Sequence, residues 1–178
     1  MAKKNSRATR AKIVSAAWKL FYEQGYEDTT VEEIIEVSQT SKGSFYHYFD
    51  GKDALLSTLS SLFDEKYEEL TGLLTPEMTA MEQLLFLNRE LFHMIEDSIS
   101  LDLLARLYST QLTTNGEKHL LDHNRIYYKL LRKIIAKGQA EGQLSSRSNV
   151  NEMVKLYALC ERAPLYDWCL CAGEYALT

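Results

Sequence analysis

The apolar residues of the first fifty positions recur at helical spacing, and the chain is punctuated so often that it can form only short helices there. Ile13, Ala16, Ala17, Leu20 and Phe21 fall at i, i+3, i+4, i+7 and i+8, one stripe of a helix running from about Arg7 to Gln24. Gly25 stands where a left-handed cap ends such a helix. Thr30-Val31-Glu32-Glu33 then reads as a Thr-x-x-Glu capping box, opening a second helix whose apolar pattern (Val31, Ile34, Ile35) stops near Val37. Ser38-Gln39-Thr40 is a tight connection, Ser41 can cap a third helix through Phe49, and Asp50-Gly51 breaks the chain again. Two short helices joined by a tight turn, with a third beneath them, form a helix-turn-helix arrangement.

The rest of the chain also reads as helical. Leucine outnumbers valine 27 to 5, and there are only eight glycines and two prolines in 178 residues. That balance favours straight-chain helix formers over the β-branched residues of sheets. With 46% apolar and 25% charged residues a core is available and global disorder is excluded. The longest apolar runs, 156–160 and 168–172, fall far short of the roughly 20 residues a membrane span needs. Leu55, Leu56, Leu59, Leu62, Phe63 and Leu70 mark a longer helix ending near Gly72 and Pro76. Four further helices are expected at about 79–96, 100–113, 118–140 and 149–171, with Gly116, Gly142 and the polar run 145–149 parting the last three. The expectation is an all-α protein: three short helices followed by an all-helical body.

The net charge of −5 hides an asymmetry. Residues 1–22 carry six basic residues and no acid, whereas 53–178 carry 12 basic and 18 acidic. An acidic body with a basic edge is held off a polyanion everywhere except at that edge. A solvated tail accounts equally well for residues 1–6. Three cysteines, with no signal peptide before them, make a reducing cytoplasm the expected location.

Placed on a wheel at about 100° per residue, Phe45 and Phe49 point inward while Gly43, Ser44, Tyr46 and His47 form a contiguous outer face. These are small or hydrogen-bonding groups, as a helix entering a major groove requires. Gly43 costs about 1 kcal/mol relative to alanine inside a helix, which close approach to DNA would explain. Lys42 can place a cation on phosphate or guanine, and Thr30 and Lys52 open flanking helices where phosphate binds well. The competing reading is a helical subdomain with an ordinary polar surface.

Thr29-Thr30-Val31-Glu32-Glu33-Ile34-Ile35, Ser41-Lys42-Gly43-Ser44-Phe45-Tyr46-His47-Tyr48-Phe49 and Gly51-Lys52-Asp53-Ala54-Leu55-Leu56 together resemble the N-terminal domain of TetR-family transcriptional repressors. The resemblance covers residues 7–56. It implies a three-helix helix-turn-helix DNA-binding domain over residues 1–52 and a helical-bundle effector-binding and dimerisation domain over 53–178, in a homodimeric repressor whose body binds a small effector and changes the spacing of two DNA-reading heads. Thr30, Tyr46 and Lys52 would contact phosphate, and Lys42, Gly43, Ser44 and His47 would face bases or nearby backbone. Where the family usually has Gly-Val in the turn this chain has Gln39-Thr40, so Gln39 must turn without glycine's freedom and Thr40, next to Ser41, can reach DNA.

Other chemistry is less well supported. His119 and His123 are spaced i, i+4 on the expected 118–140 helix, but no third metal ligand can be assigned. Cys169 and Cys171 point apart on a helix, no glycine-rich phosphate loop occurs, and no nucleophile–base constellation has supporting context. Neither an enzyme nor a cofactor is expected. The body is rich in polar aromatics, which either pack on one another or line a cavity. Phe92, Arg106, Tyr108, Tyr127 and Trp168 are the candidate effector residues, suited to an aromatic or amphipathic molecule. Val150, Met153, Val154, Tyr157, Ala158, Glu161, Leu165 and Trp168 share one face of the last helix and are expected at a two-fold interface, with Pro164 bending that helix. Recognition helices of a DNA-competent dimer lie about 34–36 Å apart. The expected function is a sequence-specific, ligand-responsive repressor that binds duplex operator DNA. The alternative is a helical ligand-binding or protein-interaction module without specific readout.

Overall fold

The computed structural model describes residues 2–113 and 118–178, and among these the chain forms nine α-helices, one 3₁₀ turn and no strand. The all-α expectation holds. The chain divides into two compact units, Met1–Leu59 and Ser60–Thr178.

In the first unit α1 (Ala2–Gln24) begins well before the expected start at Arg7 and buries the stripe of Ile13, Ala16, Ala17, Leu20 and Phe21. Gly25 ends it at φ 89°. Helices α2 (Val31–Ser38) and α3 (Lys42–Tyr48) pack on α1 and on each other, with Ile34 and Phe45 fully buried between them. Burying a side chain of this size stabilises by about 1.5–3 kcal/mol, enough to fix helices too short to form alone. The long helix expected after Lys52 is instead two: α4 (Lys52–Leu56) and α5 (Leu59–Thr71). The break lies at Ser57 and Thr58, whose hydroxyls donate to the carbonyls of Ala54 (2.7 Å) and Leu55 (2.6 Å). Such back-bonding competes with the helix ladder, and the Thr58 hydroxyl also accepts from the Trp18 indole at 2.9 Å.

The second unit contains most of α5, with α6 (Ala80–Ser98), α7 (Leu101–Thr113), a 3₁₀ turn (His119–Leu121), α8 (Ile126–Ala140) and α9 (Val150–Leu170). Helix α8 packs against α6 and α9, and α7 against α9. Capping boxes open α6 and α9, Thr79 with Glu82 and Asn149 with Glu152. The expected 118–140 helix is interrupted: Asp122 accepts from the Asn124 amide (2.8 Å) in a side-chain turn, and α8 starts only at Ile126. His119 and His123 therefore do not share a helix. Gly116, expected to separate helices here, lies outside the described residues. Gly138 marks a close crossing, since a Cβ there would meet the Ala80 Cβ at 2.5 Å and Leu144 Cδ1 at 2.9 Å.

The face of α9 expected at a dimer interface is occupied within the protomer. Val154, Ala158, Glu161, Leu165 and Trp168 are buried. The opposite side exposes Leu156, Leu159, Tyr166 and Leu170 instead. The apolar spacing identified a packing face, but an isolated sequence does not say whether its partner is the same chain or a second copy. Helix α9 continues through Pro164.

Candidate nucleic-acid interface and effector cavity

The recognition element is set by its two caps. Thr30 accepts from the Glu33 amide (3.2 Å) while the Glu33 carboxylate accepts from the Thr30 amide (2.7 Å), which fixes the start of α2. Those donors hold the Glu33 carboxyl below its ordinary value, the Thr30 backbone amide contributing most. At the other end Gln39 takes the left-handed conformation (φ 53°) that glycine would adopt freely, and its amide donates to the Glu36 carbonyl. The Ser38 and Thr40 hydroxyls lie 2.8 Å apart across the turn. Ser41 then caps α3 by accepting from the Ser44 amide at 3.1 Å.

Helix α3 turns Phe45 into the core, at 0% exposure, and leaves Lys42, Gly43, Tyr46 and His47 exposed. Ser44 is half-buried and its hydroxyl lies 2.9 Å from that of Ser41. Lys42 pairs at 3.4 Å with Glu32 on the surface, a contact weak enough to exchange for another anion. A surface hollow beside this face is lined by Ser41, Gly43, Ser44, His47 and Tyr48 together with Ser6 and Thr9 of α1. Sequence reading missed both: Ser6 lies before the helix it began at Arg7, and Thr9 lies inside that helix but off its apolar stripe; Tyr48 donates to Ser6 at 2.9 Å. Lys52 is placed differently from a free phosphate ligand. Its ammonium donates to the carbonyls of Tyr26 (2.6 Å), Thr29 (2.8 Å) and Glu27 (3.2 Å).

In the second unit an apolar groove of about 590 Å³ opens between α7, the 3₁₀ turn and α9, with Leu112, Leu121, Leu159 and Tyr166 on its walls. Tyr108, Leu120 and Arg162 belong both to this groove and to an inner cavity of about 40 Å³. That cavity is lined by Tyr67, Tyr127 and Glu161 among others. Of the expected effector residues it brings together Tyr108 and Tyr127. The other three stand elsewhere: Phe92 is core, Arg106 pairs with Asp102 (2.9 Å), and the Trp168 indole donates to the Tyr175 carbonyl (2.8 Å). Arg125 forms a two-pronged pair with Asp64 (3.1 and 3.0 Å), and Asp64 also accepts from the Tyr127 amide, capping α8 where Arg125 cannot. Glu161 was legible as a carboxylate in an apolar stripe; what it faced was not.

Two short helices about a left-handed turn, the second presenting small, hydroxyl and imidazole groups outward, define a helix-turn-helix DNA-binding domain followed by an all-helical body. Residues 13–59 match the model of the bacterial regulatory proteins of the tetR family. The chain is 40% identical over 58 residues to an uncharacterized HTH-type transcriptional regulator in the lacX 3' region of Lactococcus lactis, a match covering 32% of this chain and 30% of that protein. It is 44% identical over 62 residues to the HTH-type transcriptional regulator HbdR of Aromatoleum, covering 34% of this chain and 27% of that one. The matched segments span about a third or less of those relatives' length. The likeness of fold extends well beyond that domain: Thermus thermophilus FadR, a repressor solved with lauroyl-CoA, superposes with a TM-score of 0.79 over 94% of this chain and 87% of that one, at 24% identity.

Proposed function

We propose that the chain is a ligand-responsive transcriptional repressor that binds operator DNA sequence-specifically as a homodimer in the cytoplasm and catalyses no reaction. The carrying observation is the outer face of α3, where Gly43, His47 and the capped N-terminus at Ser41 lie exposed on a rigidly buried Phe45. Lys42, Gly43, Ser44 and His47 read bases or adjacent backbone, with Thr40 and Ser41 at the entry to the groove. Thr30 and Tyr46 contact phosphate, and Lys52 supports them by holding the loop before α2. The exposed Leu156 and Leu170, which lie outside the groove, support dimerisation through the outer side of α9.

The effector occupies the apolar groove of the second unit. An amphipathic ligand suits its walls, in keeping with the lauroyl-CoA of the Thermus thermophilus relative. Such a ligand releases DNA only if it binds the non-operator conformation more tightly, by about 1.4 kcal/mol for each factor of ten. The test is a salt series on specific and random duplex. Specific binding is tighter by orders of magnitude, with log K falling by about 0.9 per log unit of salt for each phosphate contacted. Equal affinity for both duplexes at every salt concentration leaves only a ligand-binding module.

A further inference from the structure

The inner cavity of the second unit ends at a carboxylate with no counter-ion among the described residues. Glu161 is 7% exposed, and its oxygens accept from the Tyr67 hydroxyl (3.2 Å to each) and from the Asn88 amide (3.5 Å). All these donors are neutral. Among the described residues no lysine, arginine or histidine forms an ion pair with it; Arg125 is held by Asp64 at 3.0 Å, and Arg162 donates to the Tyr128 hydroxyl at 3.3 Å. A carboxylate out of water needs a cation or takes up a proton, and burial pushes the Glu161 carboxyl up. The Tyr127 and Tyr157 hydroxyls also stand close enough to favour the charged carboxylate; Tyr157 donates to the Leu84 carbonyl at 2.8 Å, whereas the buried Tyr127 hydroxyl, on the cavity wall, has no partner at full hydrogen-bond geometry among the described residues. Around them stand aromatic rings, Tyr67 and Tyr127 with centroids 4.9 Å apart, then Phe63 and Tyr108.

We propose that this cavity binds the ammonium head of an amphipathic organic amine whose apolar body lies in the outer groove. This rests on the groove being the effector site and names the class of effector. An ammonium carries three donors; the Glu161 carboxylate and the Tyr127 hydroxyl are the acceptors that lack such a partner, and ring faces attract a cation in a water-poor site. The cavity, about 40 Å³, admits a head group of one or two heavy atoms but not a bulky one. The competing anchor is Arg162, at the junction of groove and cavity, which would select an anionic head instead.

Three C12 chains that differ only in the head group separate these cases: dodecylammonium, dodecanoate and dodecanol, titrated calorimetrically into the full chain below their micelle concentrations. Dodecylammonium binds at least about ten-fold more tightly than the other two. Glu161→Gln brings it down to the level of the alcohol. Tyr127→Phe, which removes only the hydroxyl and leaves the ring packed, weakens the amine about three- to ten-fold and the alcohol not at all. Tightest binding by dodecanoate, an unchanged amine preference in both variants, or binding by none of the three overturns the proposal. The salt series on operator DNA, run without ligand, stands apart: specific DNA binding with no amine preference removes this inference alone, and amine preference without specific DNA binding removes the repressor reading alone.

Discussion

Lys52 holds Tyr26 in two ways: its ammonium donates to the Tyr26 carbonyl at 2.6 Å and lies 4.3 Å from the centre of the Tyr26 ring. The Tyr26 hydroxyl in turn donates to Asp53. The start of α4 thus fastens the loop that leads into α2. Lys52→Met is expected to destabilise the protein by about 1.5–3 kcal/mol, the usual range for charged hydrogen bonds. Lys42→Met, which loses one exposed pair, changes stability by less than about 0.5 kcal/mol. Urea unfolding of the two variants checks this; equal stabilities would return Lys52 to the role of a simple phosphate contact.

Gln39 sits at φ 53°, a conformation unfavourable for a residue with a Cβ. Gln39→Gly is expected to stabilise by about 0.5–1 kcal/mol, and a β-branched residue there to destabilise by more. Chemical denaturation of Gln39→Gly and Gln39→Val measures both signs.

The two kinds of DNA contact separate by readout. Tyr46→Phe weakens binding to all duplexes by a similar factor, because phosphate carries little sequence information. His47→Ala and Ser44→Ala change the ranking of operators, by about 1–3 kcal/mol for each hydrogen bond to a base edge that the truncation removes. Competition binding against a library of single-base operator variants distinguishes them. A flat profile for His47→Ala would remove α3 from base readout.

Leu156 is 62% exposed on the outer face of α9. Leu156→Glu is expected to yield a folded monomer in sedimentation at micromolar concentration, since a charge there opposes burial against a second copy. Ala158→Glu, two residues away but 1% exposed, unfolds the second unit instead.

Burial raises the Glu161 carboxyl above its ordinary 4.5. From about pH 4.5 up to the raised value the folded chain binds a proton that the unfolded chain has lost, so this group's contribution falls as pH rises. The slope is at most about 1.4 kcal/mol per pH unit. Glu33 and Glu82 are lowered and act with the opposite sign, losing their stabilisation as pH falls below 4.5. Subtracting the Glu161→Gln melting curves from those of the wild type between pH 5 and 8 isolates the falling slope. A flat difference would mean that Glu161 ionises as it does in water.

Much of the first unit is readable from sequence because its instructions are local. The Thr30 box, the Gly25 stop and the Phe45–Phe49 spacing each act within a few residues, and each appears as read. The Asp122–Asn124 turn that interrupts the expected 118–140 helix is local too and was overlooked; the other misses depended on distance. The break after Leu56 involves a hydroxyl that also accepts from Trp18, 40 residues earlier. The start of α8 is capped by Asp64, 63 residues before Tyr127. The periodicity of α9 gave the face containing Glu161 correctly, but the tyrosine that meets that carboxylate is 94 residues away. Local chemistry sets where helices start and stop; which faces meet is decided by the fold.

The crossing at Gly138 limits how this chain can vary. Glycine costs about 1 kcal/mol in a helix interior, and helix propensity alone would replace it with alanine. Yet the smallest added carbon would lie 2.5 Å from the Cβ of Ala80 and 2.9 Å from Leu144 Cδ1. If position 138 were randomised and the library sorted for folded protein, glycine would return, because α6 and α8 have spent the space that every other side chain needs.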